Sequence, residues 1–477
     1  MTARLLRPTS LVWTAIATYA AGFSALSILR HESFETGRFD LGNMVQAVWS
    51  TAHGDVLQVT NLRGEQVSRL AAHFDPLLAA FAPLWWIWPS PSMLLTVQAI
   101  LIALGALPVY WLARKHLGSE RTAAGFALAY LLFPATQWLT LNEFHPVALA
   151  CPLLLFAIWY VDEDRLLPFA LFATLAALTK EEIPLVVAGL GIWYALARRR
   201  WIAGGAITAA GVAAAALAVS VVIPHFHGAS SHFYGRYDAV GGSASGIVRT
   251  AFTDPWRLLS TAFDHRGTHY LLHMLLPLAG LALLAPLLLV AAVPEFVLNL
   301  LSSAETQSSI HYHYTAAEIA VLVPAAILGA ARLGHWARLA APVAVTAAII
   351  GNYVLGPAPI WRWLPGGQTL KADAAHVSAH DRVAERALAV IPRAAVVSAT
   401  NSLGAHLSER RRILSFPVLQ DAEWLAVDTE RPSLGDHRAG AEAVARIERI
   451  VRGGRWRMVF DEDGVLVLRR ATRARAG

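Results

Sequence analysis

The first apolar run, LVWTAIATYAAGFSALSIL at residues 11–29, decides the fold class. About 20 apolar residues in a helix cross a hydrocarbon core of about 30 Å, and this run has nearly that length without a charge. Arg4 and Arg7 precede it, which places the N-terminus in the cytoplasm. A cleaved signal peptide is the alternative, but no small-residue cleavage site stands out and many apolar runs follow. We therefore expect an uncleaved membrane anchor.

The composition extends this inference to the whole chain. Of 477 residues, 56% are hydrophobic and 15% are charged, whereas soluble domains carry about 25% charged residues. These values exclude a disordered chain and disfavour a soluble multidomain enzyme. The single cysteine, Cys151, excludes an intrachain disulfide and a cysteine-based metal cage. The net charge of +6 leaves nucleic-acid binding open until the cations are located.

Repeated apolar runs predict a polytopic α-helical membrane protein with about eleven spans. The predicted spans are residues 11–29, 92–113, 121–139, 147–161, 166–180, 183–197, 201–223, 269–284, 286–302, 315–331 and 339–356. This count places the cationic loops near residues 114–121, 165, 198–200 and 332–338 in the cytoplasm, as the positive-inside rule requires. Residues 74–89 are also apolar, but a span there would invert the loops. We expect this tryptophan-rich segment to lie on the outer surface, with a re-entrant hairpin as the alternative.

An odd number of spans places the C-terminal segment outside the plasma membrane. We divide the chain into a transmembrane domain at 1–359, which includes an outer loop at 30–91, and a small α/β domain at 360–477. Strands are predicted at 394–399, 411–419 and 455–470, and helices at 376–390 and 439–452. The arginines of this segment are typical of a solvated face near anionic headgroups. Without a nucleic-acid motif, no nucleic-acid partner is expected.

Ionisable residues collect on the predicted outer side. They are Glu32, Glu35, Asp40, His73, Asp75, Glu143, His145, Lys180, Glu181, Glu182, His225, His227, His232, Tyr234, Arg236, Tyr237, Asp238, His311 and His313. Such groups are costly at membrane depth unless they line a cavity or pair with one another. Singly, each has an ordinary structural explanation, such as a helix cap or an interfacial histidine. Together they predict a polar cavity open to the outer leaflet.

Two chemistries fit these residue types. Sugar transfer needs a carboxylate base, for which Asp40 is placed, and cations or imidazoles at a phosphate leaving group, for which Lys180, Arg236, His145 or the two histidines of HYHY are placed. The alternative is a divalent metal site for Zn²⁺ or Mn²⁺. In it, His311 and His313 would face one way at i, i+2, and His73, Asp75, Glu143 and His145 would be co-ligands. No cofactor is certain.

Several motifs carry a resemblance to known families. The acidic loop FETGRFDLGN, the stretch HFDPLL (73–78), the aromatic segment and LPVYWLARKHLG together resemble the GT-C superfamily of membrane glycosyltransferases. HFDPLL is similar to the H/K-P-P-L segment of protein O-mannosyltransferases and aminoarabinose transferases, but Asp75 replaces a proline. More closely, FDLGNMVQAVWS, NEFHPVALA, LTKEE and SSIHYHYTA resemble an actinobacteria-rich family of predicted membrane proteins of unknown function, grouped with GT-C by fold. That likeness runs over most of residues 30–470.

The resemblance implies a GT-C-like fold and a catalytic base in the first outer loop. By position the base is Asp40, with Glu35 as the rival. The implied activity is transfer of a sugar from a polyprenyl-phosphate donor to a cell-envelope or lipid acceptor. His73, Asp75, Glu143, His145, Lys180, Glu181, Arg236, His311 and His313 would bind the donor phosphate or sugar. The alternatives are a transporter or flippase of an envelope precursor and a non-catalytic GT-C-like scaffold.

Overall fold

The computed structural model describes residues 8–227, 232–366, 376–433, 436 and 440–471. Arg4, Arg7 and the side chains of His227, His232 and Tyr234 lie outside the described part. The α-helices are α1 (Pro8–Glu32), α2 (Asn43–Ala52), α3 (Ala82–Ile87), α4 (Pro91–Leu104), α5 (Ala106–Leu117), α6 (Glu120–Leu132), α7 (Pro134–Leu141), α8 (Ala150–Asp162), α9 (Leu166–Ala177), α10 (Ile183–Arg198), α11 (Trp201–Leu217), α12 (Ile223–His227), α13 (Ala244–Thr253), α14 (Pro255–Ala262), α15 (His265–Leu275), α16 (Pro286–Leu289), α17 (Val293–Leu301), α18 (Ala316–Ala331), α19 (Ala337–Leu355), α20 (Ala379–Ala389), α21 (Asn401–His406) and α22 (Gly440–Arg452).

Two sheets accompany the helices. A hairpin pairs β1 (Gln58–Thr60) with β2 (Gln66–Ser68). The larger sheet contains β3 (Val397–Ala399), β4 (Ile413–Ser415), β5 (Trp424–Asp428), β6 (Trp456–Glu462) and β7 (Val465–Arg470), in the order β4-β3-β5-β7-β6. The first three strands are parallel, and β7 pairs antiparallel with both β5 and β6. In the larger sheet, β3, β4, β6 and β7 lie within the stretches predicted as strands. β5 is a short, fully buried run outside those stretches.

Within the described residues, five helical segments are long and apolar enough to cross a membrane, or six if the bent pair α6 and α7 forms one span. The five are Pro8–Glu32, Pro91–Leu117, Trp201–Phe226, His313–Ala331 and Gly334–Leu355. Shorter apolar helices occupy Pro76–Ile87, Pro146–Asp162, Leu166–Ala177, Ile183–Arg198 and Pro286–Leu301. The chain is therefore a mostly helical membrane protein, and the count of eleven spans stays a prediction.

The predicted span at 269–284 is not one continuous helix in the structure. α15 ends at Leu275, and two separate 3₁₀ turns follow. Pro277 lacks the backbone N–H that would continue the helical ladder. Ala279 and Gly280 then adopt left-handed conformations, with φ of 53° and 65°, which reverse the local helical path.

The first loop lies between the membrane helices and the larger sheet. The buried guanidinium of Arg38 donates to the carbonyls of Thr60 at 2.6 Å and Ile413 at 2.7 Å, and to the hydroxyl of Ser415 at 2.7 Å. The Gln46 amide likewise donates to the Arg410 carbonyl at 3.2 Å. Because β4 carries two of these acceptors, the sheet edge is bound directly to the loop that contains Asp40.

Candidate functional site

A turn after α7 positions the central histidine of the site. Glu143 takes a left-handed conformation, with φ of 52°, and turns the chain between α7 and the next apolar helix. The fully buried Gln98 on α4 holds this turn, since its amide donates to the Glu143 carbonyl and its oxygen accepts the His145 N–H at 3.0 Å. Phe144 is fully buried and packs edge-to-face on Phe81, with ring centroids 5.5 Å apart. The turn is therefore fixed by side chains from two other segments.

Glu143 in turn holds the first loop. Its carboxylate accepts the Gly37 N–H at 3.1 and 3.2 Å and the Leu41 N–H at 2.8 Å. Gly37 directly precedes the π-helical turn Arg38–Gly42, and Leu41 lies within it. This conformation is rare and is frequent at functional sites. Burial, and secondly the charge of Asp40, raise the pKa of Glu143 to about 8. We infer that Glu143 acts on the backbone around Asp40 and not on a ligand.

Asp40 and His145 form the pair at the centre of the site. The Asp40 carboxylate lies 3.3 Å from His145 Nε2, and its side chain is 53% exposed whereas that of His145 is 6% exposed. The Asn142 carbonyl, 2.8 Å from His145 Nδ1, can only accept, so Nδ1 carries a hydrogen. The other ring nitrogen, Nε2, faces Asp40. The surrounding protein opposes ionisation of Asp40, but the hydrogen bond and charge of His145 lower the pKa of Asp40 below its ordinary value.

His313 stacks on this pair from the segment before α18. Its ring lies 3.8 Å from that of His145, at an interplanar angle of 21°. Both its backbone N–H and its Nδ1 lie 3.0 Å from Oδ1 of Asn142. Asn142 therefore orients both histidines, His145 through its carbonyl and His313 through its side chain. His313 is one of the predicted site residues that the structure brings to Asp40.

The TKEE segment lies beside this cluster. Nζ of Lys180 contacts Glu182 at 2.5 Å and lies 5.1 Å from the ring centroid of Tyr314, the neighbour of His313. Burial of Lys180 opposes its charge, but Glu182 and Glu181 outweigh that cost and raise the pKa of Lys180. Lys180 is therefore a permanent cation within the site.

Glu181 binds the HFDPLL segment. Its carboxylate lies 2.9 Å from His73 Nδ1 and accepts the Phe74 N–H at 2.9 Å. Burial of Glu181 raises its pKa, but the charge and hydrogen bond of His73 lower it to about 2. The carboxylate is thus ionised and ties the first outer loop to the loop before α10.

Other predicted residues have different surroundings. Arg236 donates to Gln307 Oε1 at 3.4 Å and lies within electrostatic range of His313. Asp75 is buried and pairs with Arg69 at 2.9 Å. Glu35 is exposed and outside the Asp40/His145 pair. His311 is also exposed, 3.0 Å from the Ser309 hydroxyl and against Trp138, so the two histidines of HYHY do not share one ligand.

These placements bear on the metal hypothesis. Among the residues that the structure describes, no group of three or more His, Cys, Asp or Glu side chains is arranged to hold a metal ion. His73, Glu143 and His145 instead make the separate hydrogen bonds given above. The geometry favours a contact pair, Asp40 with His145, beside Lys180.

Known proteins resemble this chain in sequence and in fold. The family described as "Predicted membrane protein (DUF2079)" matches residues 30–467. The chain belongs to this family. No curated protein sequence matches it. Among solved structures, this chain resembles the crystal structure of ArnT from Cupriavidus metallidurans bound to undecaprenyl phosphate. The TM-score is 0.51 and the sequence identity is 13%, over 96% of this chain and 99% of that one.

The two comparisons confirm the resemblance found in the sequence. The chain is a member of the DUF2079 family, and its fold is similar to that of ArnT. At this identity the structural likeness concerns the fold alone. Three residues of the candidate site are not among the predicted ones: Asn142, Gln98 and Arg38. Gln98 had a signal, since it is a lone amide in the apolar run PSMLLTVQAILIAL, but nothing local indicates its partners.

Proposed function

We propose that this protein is a membrane glycosyltransferase that moves a sugar from a polyprenyl-phosphate donor to a cell-envelope or lipid acceptor on the outer face. The observation that carries the proposal is the Asp40/His145 pair, an ionised and half-exposed carboxylate beside a buried imidazole. The ArnT-like fold supports it, because that solved protein is bound to undecaprenyl phosphate. The proposed topology has about eleven spans, a cytoplasmic N-terminus and an extracytoplasmic α/β domain at 360–477.

In the proposed reaction, Asp40 accepts the proton of the acceptor hydroxyl. The acceptor oxygen forms a bond to the anomeric carbon of the sugar, while the bond from that carbon to the phosphate oxygen breaks. The polyprenyl phosphate leaves with the electron pair. The Asp40 carboxylate lies 3.3 Å from His145 Nε2, so the imidazole adjoins the proton that Asp40 takes up.

The departing phosphate gains negative charge and needs cationic or donor groups. Lys180 and Arg236 supply permanent charge, and His73 and His313 supply imidazoles. Lys180 is held by Glu182 at 2.5 Å, so a bound phosphate would share this cation with the carboxylate. Glu143 and Asn142 position the base and the histidines without touching the reacting atoms.

The test compares lipid-linked and envelope glycans, by mass spectrometry, in cells with the gene, without it, and with Asp40→Asn. We expect the deletion and Asp40→Asn to lack the same glycan, because the amide cannot take the hydroxyl proton. Asp55→Asn, an exposed residue of the same loop, is the matched control and restores the product.

Full product with Asp40→Asn, inserted at wild-type level, would refute Asp40 as the base. Unchanged glycans in the deletion would refute a transferase. In that case, labelled precursor crossing reconstituted vesicles would favour the transporter, and no binding of polyprenyl phosphate to the purified protein would favour the scaffold.

A further inference from the structure

The turn between α10 and α11 carries three consecutive arginines, at residues 198–200. α10 begins at Ile183, directly after the TKEE segment of the candidate site, and ends at Arg198 after 16 residues. At 1.5 Å per residue, the arginines lie about 24 Å from that end of the helix. They are therefore at the opposite end of α10 from the Asp40/His145 pair and take no part in the proposed reaction.

The acidic residues near this turn are already paired. Lys115 contacts Asp162 at 2.7 Å and Glu163 at 2.5 Å, and Arg200 contacts Asp164 at 2.5 Å. Arg198 donates to the Asp162 carbonyl and lies 3.9 Å from its carboxylate. Arg199 makes no ion pair or side-chain hydrogen bond with any residue of the described ranges, and its backbone is left-handed, with φ of 55°. Within the described residues, Arg199 is thus a positive charge at this turn without a carboxylate partner.

Two adjoining cavities meet at the same turn. A polar cavity of about 450 Å³ is lined by Asp164, Ala197 and the three arginines. An apolar groove of about 690 Å³ runs between α10 and α11, and its lining includes Ile192, Leu196, Trp201, Gly205 and Val212. Leu196 directly precedes the polar cavity in sequence and Trp201 directly follows it. The two cavities therefore lie at the same end of the helix pair, one charged and the other apolar, and we call them together the α10/α11 depression.

Small residues explain the shape of the groove. A Cβ atom added at Gly191 would lie 2.6 Å from the Thr208 nitrogen, and one at Gly211 would lie 2.5 Å from the Pro184 carbonyl oxygen. The two helices therefore approach closely along a glycine seam. Larger side chains at the edges stay outside this seam, and Trp201 and Val212 are exposed. The groove faces outward from the protein and its floor is the packed helix pair.

We propose that this depression binds one anionic glycerophospholipid of the membrane, with its phosphodiester at Arg199 and Arg200 and an acyl chain in the α10/α11 groove. A phosphodiester carries one negative charge, for which Arg199 is an available counter-ion. A zwitterionic headgroup would bring its own ammonium group next to the arginines, so it binds more weakly. Trp201 lies where the charged turn meets the apolar groove, the position that tryptophan prefers at the membrane interface.

The experiment measures lipid retained by the purified full-length protein after delipidation, by native mass spectrometry. The protein is incubated with phosphatidylglycerol, phosphatidylcholine or undecaprenyl phosphate at equal concentration. We expect preferential retention of phosphatidylglycerol. In Arg199→Gln this retention should fall about fivefold, which is the effect of removing one cation near an anionic headgroup. Arg338→Gln, an exposed arginine at the start of α19, is the charge control.

A second variant tests the groove. Gly205 has open space where a Cβ would be placed, so Gly205→Leu partly fills the groove without a clash and should also reduce phosphatidylglycerol retention. Gly22→Leu, equally open on α1, should leave retention unchanged. Equal losses in the variants and their controls, unchanged retention in Arg199→Gln, or preferential retention of undecaprenyl phosphate or phosphatidylcholine would each overturn the proposal. Soluble glycerophosphoglycerol should not compete, and competition by it would show a headgroup site without the groove.

Discussion

Removing the Glu143 side chain should release the π-helical turn that carries Asp40. The carboxylate accepts two backbone N–H groups, from Gly37 and Leu41. Leaving a buried backbone N–H without its acceptor costs about 1–3 kcal/mol. At about 1.5 kcal/mol for each of the two donors, Glu143→Ala costs about 3 kcal/mol of local stability, which corresponds to about a 100-fold rise in the population of the open turn.

Hydrogen–deuterium exchange of the full-length protein in nanodiscs measures this opening directly, without any assumption about the reaction. We expect the peptide covering residues 34–42 to exchange about 100-fold faster in Glu143→Ala, with peptides of α18 unchanged. Glu143→Gln keeps an oxygen that can accept the 2.8 Å bond from Leu41, so its exchange should rise about tenfold or less.

Glu65→Ala is the control, since Glu65 lies in the same loop and is exposed. It should leave the exchange of residues 34–42 unaltered. Wild-type protection of this peptide in Glu143→Ala would refute the view that Glu143 fixes the turn. Equal acceleration by Glu143→Ala and Glu65→Ala would refute it as well, because the effect would then belong to the loop in general.

Two further predictions concern the sheet. Both ring nitrogens of His380 lie 2.8 Å from carboxylates, of Asp428 and Asp463. Burial opposes the charge of His380, but these two hydrogen bonds raise its pKa. The resulting stabilisation is complete below about pH 6.5 and is lost as pH rises through the raised pKa. Exchange at α20 should therefore accelerate with pH in the wild type beyond its intrinsic pH dependence, and His380→Gln should abolish that excess. Arg38→Met removes three buried hydrogen bonds from a charged donor, and at about 1.5 kcal/mol each it should cost about 4–5 kcal/mol. Protease sensitivity near β4 should rise accordingly, whereas the exposed control Arg63→Met should match the wild type.

Much of the architecture was accessible from local sequence. Apolar runs predicted where the helices of the membrane domain lie, because burial in hydrocarbon or in a helical core demands apolar residues over the whole length of a helix. Alternating short runs predicted four of the five strands of the larger sheet. The run at 269–284 failed because apolar content does not report backbone breaks, and Pro277 with the left-handed Ala279 and Gly280 interrupts that helix.

The candidate site divides in the same way. The sequence by itself determined the family, the membrane class and the residue types available for chemistry, since composition and motifs are local properties. Only the tertiary structure decided which of these residues contact one another. The Glu143 carboxylate accepts a hydrogen bond from the backbone of Gly37, 106 residues before it in the chain. Arg38 donates to Ser415, 377 residues after it. Such pairings depend on how distant helices and strands pack, and no periodicity along the chain encodes which buried donor meets which acceptor.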